Sequence, residues 1–234
     1  MDMNLDIDRI LYADMQNALR HQAVILYEDE RSLLLQDISS GLTYCTALDA
    51  EAAANMIGHI KDFDILVSHD EYCNQAIQQR FHITYENCCY HCVYIGHKRF
   101  FVDLPAGFHF AFVDERYMED VIALYRKEMP ELANAAYMRK AMDYGLIGVF
   151  HGDELAGFMG VHEGGSGSMG MLEVKSCYKR KGLGSALEKA VINMQLERGK
   201  IPYGEIFIDN TASLKLQEHV GLTIGDRLTY WFYK

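Results

Sequence analysis

Along residues 105–234, apolar residues recur with two different spacings. One spacing predicts strands and the other predicts helices. Short apolar runs such as FHFAFV (108–113) and LIGVFHG (146–152) are typical of strands. Residues 183–194 instead carry leucine, alanine and valine at helical spacing, and an arginine and a glycine at 198–199 end that helix. The pattern predicts the order β-α-α-β-β-β-α-β-α-β-β, with an antiparallel meander before the helix at 183.

The first hundred residues repeat a weaker version of this order. After a helix near 8–21, the apolar runs predict three strands, a helix, a strand, a second helix and a long strand region through 97. DILVSHDEYCNQAIQQRFHIT and EIFIDNTASLKLQEHVGLT each contain an apolar strand, a polar turn, a short helix and a return. The repetition indicates an internal pseudo-duplication, although any mixed α/β protein shows some similarity of this kind.

A boundary between the two halves is expected in DLPAGFHF (103–110). Pro105 and Gly107 break the strand-like run before them, and a new pattern begins at His109. We therefore predict an α/β (α+β) protein with a mixed central sheet. Residues 1–104 form its smaller, pseudo-duplicated half and residues 105–234 form its second half.

Composition narrows the class of protein. Half of the 234 residues are hydrophobic, which is enough for one large core or two small ones. The formal net charge of −11 disfavours a general nucleic-acid binder, whose affinity depends on many contacts from Lys and Arg to phosphate. The apolar runs are far shorter than the ~20 residues of a membrane span, and the acidic first residues do not fit a secretory signal. We expect a cytoplasmic protein with reduced thiols.

The run CCYHC (88–92) contains residue types that bind zinc. A structural zinc site needs ligand pairs two to four residues apart and a second pair to complete a tetrahedron, and the sequence has no clear second pair. Other histidines, such as His59, His69 and His109, do not have the spacing of ligands. We therefore expect alternating strand residues here and no metal.

Three cations and two glycines stand together in KRKGLGS (179–185), directly before the helix at 183. The glycines remove side chains where the helix begins, so its free N–H groups and its dipole favour an anionic phosphate there. The cations add charge-assisted contacts, and the arrangement suits a pyrophosphate. It is neither the dinucleotide fingerprint nor a P-loop. Taken alone, a basic Gly-x-Gly loop is equally compatible with a solvated helix start.

A second segment, DNTASLKLQEHVGL (209–222), makes the signal more specific. Together the two segments resemble the GNAT superfamily of acyl-CoA-dependent N-acyltransferases. Residues 179–184 fill that family's cofactor motif, Gln/Arg-x-x-Gly-x-Gly/Ala, with lysine in the first place. The family's later motif, Asn-x-Ala-Ser-x-x-Leu-Tyr-x-x-x-Gly-Phe, is matched at Asn210, Ala212, Ser213, Leu216, Gly221 and Leu222. The resemblance covers about 107–234 and is closest to the FR47-like and glycine N-acyltransferase-like branch, whose members carry a degenerate GNAT-like N-terminal half.

The resemblance implies acetyl-CoA or another acyl-CoA as co-substrate and an amine as acceptor. The strand before the loop would diverge from its neighbour and pair its backbone with the pantetheine arm, and the loop amides would hold the pyrophosphate. The later motif would approach the thioester, although Asn210 is also a good N-cap and both roles can coexist. The residues implied for the cofactor are Leu172, Val174, Lys179, Arg180, Lys181, Gly182, Leu183, Gly184, Ser185, Asn210, Ser213 and Gln217.

The catalytic positions depart from the family's pattern. Members often use a glutamate on the fourth strand as the base and the motif tyrosine as the acid, but this chain has Ser168 and Gln217 there. Glu163, His162 and Glu173 are nearby substitutes that a proton could reach through water. A thiolate is also a tolerable leaving group without a strong acid.

The resemblance therefore predicts an N-acyltransferase, most simply an acetyltransferase, in which an amine of a small molecule or peptide attacks the thioester directly. The altered catalytic positions leave open a protein that binds or senses acyl-CoA without turnover. An aminoacyl transferase would need a broad basic face, which the net charge of −11 disfavours. No nucleic-acid or membrane partner is expected, and a homodimer stays open.

Overall fold

A computed structural model describes residues 4–127, 129–162 and 166–234 of the chain. Up to residue 104, the elements in chain order are α1 (Ala13–His21), β1 (Ala23–Glu28), β2 (Ser32–Asp37), β3 (Thr43–Ala47), α2 (Ala50–Ile57), β4 (Ile65–Ser68), α3 (Glu71–Arg80) and β5 (Tyr85–Val93). The later elements are β6 (Phe108–Phe112), α4 (Met118–Tyr125), α5 (Ala135–Tyr144), β7 (Ile147–His151), β8 (Glu154–Val161), β9 (Met169–Val174), α6 (Leu183–Glu197), β10 (Tyr203–Phe207), α7 (Thr211–Val220) and β11 (Thr223–Tyr233). Short 3₁₀ turns lie at Leu5–Asp8, Glu115–Tyr117 and Ser176–Tyr178.

The strands form one mixed sheet in the order β1-β2-β3-β4-β11-β5-β10-β9-β8-β7-β6. The last strand of each half lies beside a strand of the other half, because β11 pairs with β4 and β5 pairs with β10. β5 and β11 also pair with each other, antiparallel, at the centre of the sheet. Outward from this centre, β4, β3, β2 and β1 correspond in order to β10, β9, β8 and β7. Residues 1–104 and 105–234 therefore share one sheet.

Helices cover both faces of the sheet. In the second half, α6 belongs to the core that contains Val149 of β7, whereas α4 and α5 belong to the core that contains Phe150. Adjacent strand residues point to opposite faces, so these helices lie on opposite sides. The first half repeats this arrangement, with α2 on the side of Leu34 and α1 on the side of Leu35.

The predicted fold class is confirmed, and some element boundaries differ from prediction. The two strands predicted at the end of the chain are one strand, β11, whose pairing with β5 shifts register between Ile224 and Leu228. The sequence from about 130 to 144 predicts the second helix of this half, but the helix begins only at Ala135. The Asn134 side chain accepts a hydrogen bond from the Tyr137 amide and caps it there.

The CCYHC run lies within β5, as the alternation predicts. Across the described ranges, no helix combines the length and the apolar character needed to cross a membrane.

Candidate functional site

β9 and β10 are parallel neighbours that pair at only one position, Met169 with Gly204. A Cβ on Gly204 would lie 3.0 Å from the Met169 carbonyl oxygen, so glycine allows the two strands to touch there. Towards their carboxyl ends the strands diverge, as the resemblance implies, and leave a gap. Leu172 and Val174, the residues implied for the pantetheine arm, are half-buried on the strand that borders this gap.

A bulge in β9 shapes this edge. Phe158 opposes Glu173 and Gly160 opposes Gly170, so the two residues at 171–172 oppose a single residue of β8. Met171 accommodates the extra residue of the bulge with a φ of 62°, a value rare outside glycine. As a result Leu172 packs on the α6 side of the sheet while Met171 is buried on the opposite side.

The loop from β9 to α6 leaves the beginning of the helix open. Gly182 is the N-cap of α6 with a φ of 78°, and no side chain caps this end. The amides of Leu183, Gly184 and Ser185 belong to the first turn, where N–H groups have no partner within a helix. This end therefore has the free donors and the positive dipole that bind an anion.

The cations predicted for the loop are exposed. Lys179, Arg180 and Lys181 form no ion pair with any residue that the structure describes. The Lys181 ammonium lies 5.3 Å from the centre of the Tyr178 ring and 5.7 Å from that of Phe108. Because no carboxylate in the described residues pairs with these three cations, the loop is an electropositive surface on an acidic protein.

The second motif meets the loop in space. A Cβ on Gly184 would lie 3.8 Å from Leu172 Cδ2 and 4.0 Å from Leu216 Cδ2, so β9, α6 and α7 converge at this glycine. The Asn210 side chain accepts a hydrogen bond from the Ser213 amide at 3.1 Å, so the predicted capping role is present. The two motifs, some thirty residues apart in the chain, border one gap.

Glu188 is a buried residue of this region that sequence reasoning missed. Its side chain is 1% exposed on α6, next to Gln217 of α7, which is 7% exposed. Burial raises the pKa of Glu188 to about 7, against a smaller lowering by Gln217. Neither carboxylate oxygen makes an aligned hydrogen bond with the described residues. Its position one turn after Gly184, on the apolar stripe, was the signal that could have identified it.

The structure describes two of the three predicted catalytic residues, Ser168 and Glu173. Glu163 lies outside the described residues. Ser168 is buried, and its carbonyl oxygen accepts a hydrogen bond from the His162 amide at 2.8 Å. Glu173 faces α4, where burial first and the Glu173 charge second raise the pKa of Tyr125.

The His162 ring has defined contacts near the gap. Its ring lies against Gly170, one residue from the point where β9 and β10 touch. The Tyr137 hydroxyl, from α5, forms a hydrogen bond with His162 Nδ1. A titratable ring with a fixed orientation therefore stands at the narrow end of the gap. Sequence reasoning included His162 among the substitutes but missed Tyr137, which comes from a separate helix.

The first half holds the chain that leads into β9. Asn17 Nδ2 donates to the carbonyl oxygens of Ser166 and Ile201, both at 2.9 Å. The Tyr44 hydroxyl donates to Ser166 Oγ at 3.1 Å. Ser166, two residues before Ser168, is therefore held by α1 and β3.

In the first half, the corresponding strands are β3 and β4 and the corresponding helix start is that of α2, and they differ from those of the second half. β3 and β4 pair at three successive positions, from Thr43–Leu66 to Cys45–Ser68, so no comparable gap opens. Asp49 caps α2 by accepting from the Ala52 amide at 2.9 Å, and Arg31 pairs with Asp49 at 3.0 Å. An occupied, acidic helix start does not suit a phosphate.

Part of the second half of the chain matches a known protein family. The FR47-like protein family matches residues 146–232, which run from β7 to β11. No curated protein matches the chain.

Several solved structures share the fold at low identity. A Drosophila protein is 18% identical with a TM-score of 0.63, over 87% of this chain and 73% of its own. A GCN5-related N-acetyltransferase-like protein from Streptococcus suis is 14% identical with a TM-score of 0.56, over 98% of this chain and 97% of its own. A tandem GNAT protein from the clavulanic acid biosynthesis pathway is 16% identical with a TM-score of 0.52, over 94% and 86%. At these identities the matches show that the chain has the fold of GNAT proteins.

Proposed function

Because the chain has the GNAT fold and matches the FR47-like family over residues 146–232, we propose that it is an acyl-CoA-dependent N-acyltransferase. It transfers an acyl group, most simply acetyl, from the thioester to an amine of a small molecule or peptide. The observation that carries the proposal is the gap between β9 and β10, which opens beside the uncapped, basic start of α6.

The loop binds one part of the cofactor, and the edge of β9 binds another. The amides of residues 183–185 bind the pyrophosphate, and the cations at 179–181 add charge-assisted contacts. The backbone of Leu172 and Val174, on the edge of β9 that faces the gap, pairs with the amides of the pantetheine arm as an added strand would. This arrangement brings the thioester towards Met169 and Gly204, where the strands touch.

His162 is the group proposed to accept the proton of the amine. The amine nitrogen attacks the thioester carbonyl carbon, the C–S bond breaks, and the proton lost by nitrogen passes to the ring, directly or through one water. The hydrogen bond with Tyr137 fixes the ring at the narrow end of the gap. CoA leaves as a thiolate.

Residues 1–104 are proposed as a degenerate GNAT-like half that has no cofactor of its own. Its capped α2 and its closely paired β3 and β4 support this assignment. Its hydrogen bonds to the segment before Ser168 support a role in shaping the acceptor side of the site. Residues 105–234 carry the cofactor.

Two matched variants test the cofactor site. Gly184→Asp places a carboxylate in the first turn of α6, where it favours the helix but repels a pyrophosphate. Ala50→Asp makes the same change in the first turn of α2. In calorimetric titrations with acetyl-CoA, the Gly184 variant should bind at least tenfold more weakly, while the Ala50 variant should match the wild type. Equal affinity of all three proteins would contradict the assignment.

Release of free thiol from acetyl-CoA in the presence of an amine panel then tests transfer. Gln217 at the position of the motif tyrosine favours one alternative, a protein that binds acyl-CoA without turnover. Thiol release with any amine would establish the transferase and identify its acceptor class. Saturable binding without release across the panel would favour the binding protein.

A further inference from the structure

Four ionisable side chains meet inside the protein where the two halves exchange strands. Asp14 lies on α1, His69 follows β4, His91 lies on β5 and Glu205 lies on β10. The side chains of Asp14 and His69 are fully buried, that of His91 is 1% exposed and that of Glu205 is 14% exposed. The proposed acyl transfer uses none of them. They are far apart in the chain, so sequence spacing gave no sign of the cluster.

The His91 ring has a defined orientation. Its Nδ1 lies 3.2 Å from the carbonyl oxygen of Ile10. A carbonyl oxygen only accepts, so Nδ1 carries a proton and Nε2 is left to bind a cation. Nε2 lies 3.4 Å from Glu205 Oε1 and 3.9 Å from Asp14 Oδ2. Within the described part of the chain it makes no aligned hydrogen bond.

The separation of 3.4 Å between His91 Nε2 and Glu205 Oε1 is that of two ligands on one ion. An N–H···O hydrogen bond spans about 2.7–3.2 Å, which is shorter than both separations. Two ligands on a tetrahedral ion with bonds of about 2.0–2.1 Å lie about 3.3–3.4 Å apart. The three candidate ligand atoms lie within 4.8 Å of one another, so they surround one common point.

We propose that Asp14, His91 and Glu205 bind one divalent transition-metal ion of the zinc class. One imidazole nitrogen and two carboxylate oxygens form a donor set that suits such an ion. The carboxylate of the buried Asp14 and that of the half-buried Glu205 also favour a positive charge between them.

The surrounding groups hold the ligands in place. His69 Nε2 lies 2.9 and 3.0 Å from the two oxygens of Asp14, and His69 Nδ1 lies 3.0 Å from the Cys45 carbonyl oxygen. The Met15 amide donates to Asp14 Oδ1 at 2.6 Å. Hydrogen bonds of this kind orient metal ligands. The ion would join α1 and β5 of the first half to β10, the strand that borders the cofactor gap.

The test uses the full chain after treatment with EDTA and desalting, and it does not depend on acyl-CoA. Zn²⁺ titration by calorimetry should give one ion per chain, and Co²⁺ should give ligand-field absorption in the visible range. Bound Zn²⁺ should also raise the Tm. Glu205→Gln and His91→Gln should each weaken Zn²⁺ binding at least a hundredfold, whereas His109→Gln, at an exposed histidine, should bind as the wild type does.

Circular dichroism of each variant separates loss of a ligand from loss of the fold. Absence of Zn²⁺ and Co²⁺ binding by the wild type would overturn the proposal. Equal binding by the folded Glu205→Gln and His91→Gln variants would also overturn it. NMR showing that His91 keeps protons on both ring nitrogens at saturating Zn²⁺ would identify the cation as a proton instead.

Discussion

Replacing Glu188 by glutamine should change how the stability of the protein depends on pH. Glu188 is buried on α6 and its carboxylate oxygens make no aligned hydrogen bond with the described residues, so its ionised form is disfavoured in the folded state. Glutamine has nearly the same shape and does not ionise. The variant therefore removes the charge while it keeps the packing.

The size of the effect follows from the two pKa values. Burial raises the pKa of Glu188 from 4.5 to about 7 in the folded protein. Between these values the unfolded chain releases the proton while the folded chain keeps it. The contribution of this group is therefore complete below about pH 4.5 and is lost as pH rises through 7. A difference of about 2.5 units corresponds to about 3 kcal/mol in the free energy of unfolding.

Urea unfolding followed by the fluorescence of Trp231 measures this difference. Glu188→Gln and the wild type should have similar stability near pH 5, and by pH 8 the variant should be more stable by about 3 kcal/mol. Glu218→Gln, at an exposed glutamate of α7, controls for the general loss of a carboxylate. A stability difference between Glu188→Gln and the wild type that stays constant from pH 5 to 8 would refute the reasoning.

Three further predictions concern the loop and the candidate base. Gly182→Ala and Gly152→Ala both place alanine at a positive φ in open space, so each should lower the free energy of unfolding in urea by about 1 kcal/mol. Calorimetry should find weaker acetyl-CoA binding only for Gly182→Ala. His162→Asn should lower kcat for thiol release at least tenfold and leave the affinity for acetyl-CoA unchanged, and an unaltered kcat would remove His162 as the base. Cys177 is exposed beside the loop, whereas Cys88 is partly covered and the other cysteines are buried, so a chromogenic disulfide should label it fastest. Saturating CoA should slow this labelling, and Cys177→Ser should lack the fast phase.

The sequence predicted those parts of the fold that local patterns control. The period of apolar residues placed α6, because side-chain direction follows from the backbone period, and the new pattern after Pro105 and Gly107 marked the start of β6. The strand region predicted through 97 ends earlier, at Val93. Gly182 marked the start of α6 because few other residues adopt its φ. The exchange of β5 and β11 was not predicted, because alternation shows that a strand exists but not which strand it pairs with.

The same limit applies to the candidate sites. The loop at 179–185 is local and could be found from residue types alone. The hydrogen bond between Tyr137 and His162 joins α5 to the end of β8, and the cluster around His91 joins four separate elements. Such contacts depend on tertiary packing, which leaves no fixed spacing in the sequence.

The central claim is that the uncapped, basic start of α6 holds the pyrophosphate of an acyl-CoA whose arm lies between β9 and β10. The most direct measurement is a pair of calorimetric titrations of the wild-type protein, one with acetyl-CoA and one with S-acetylpantetheine, which has the same arm and thioester but lacks the pyrophosphate and the nucleotide. We predict saturable binding of acetyl-CoA to one site per chain, and binding of S-acetylpantetheine that is weaker by at least a hundredfold. Equal affinity for the two compounds, or no binding of acetyl-CoA, would contradict the account.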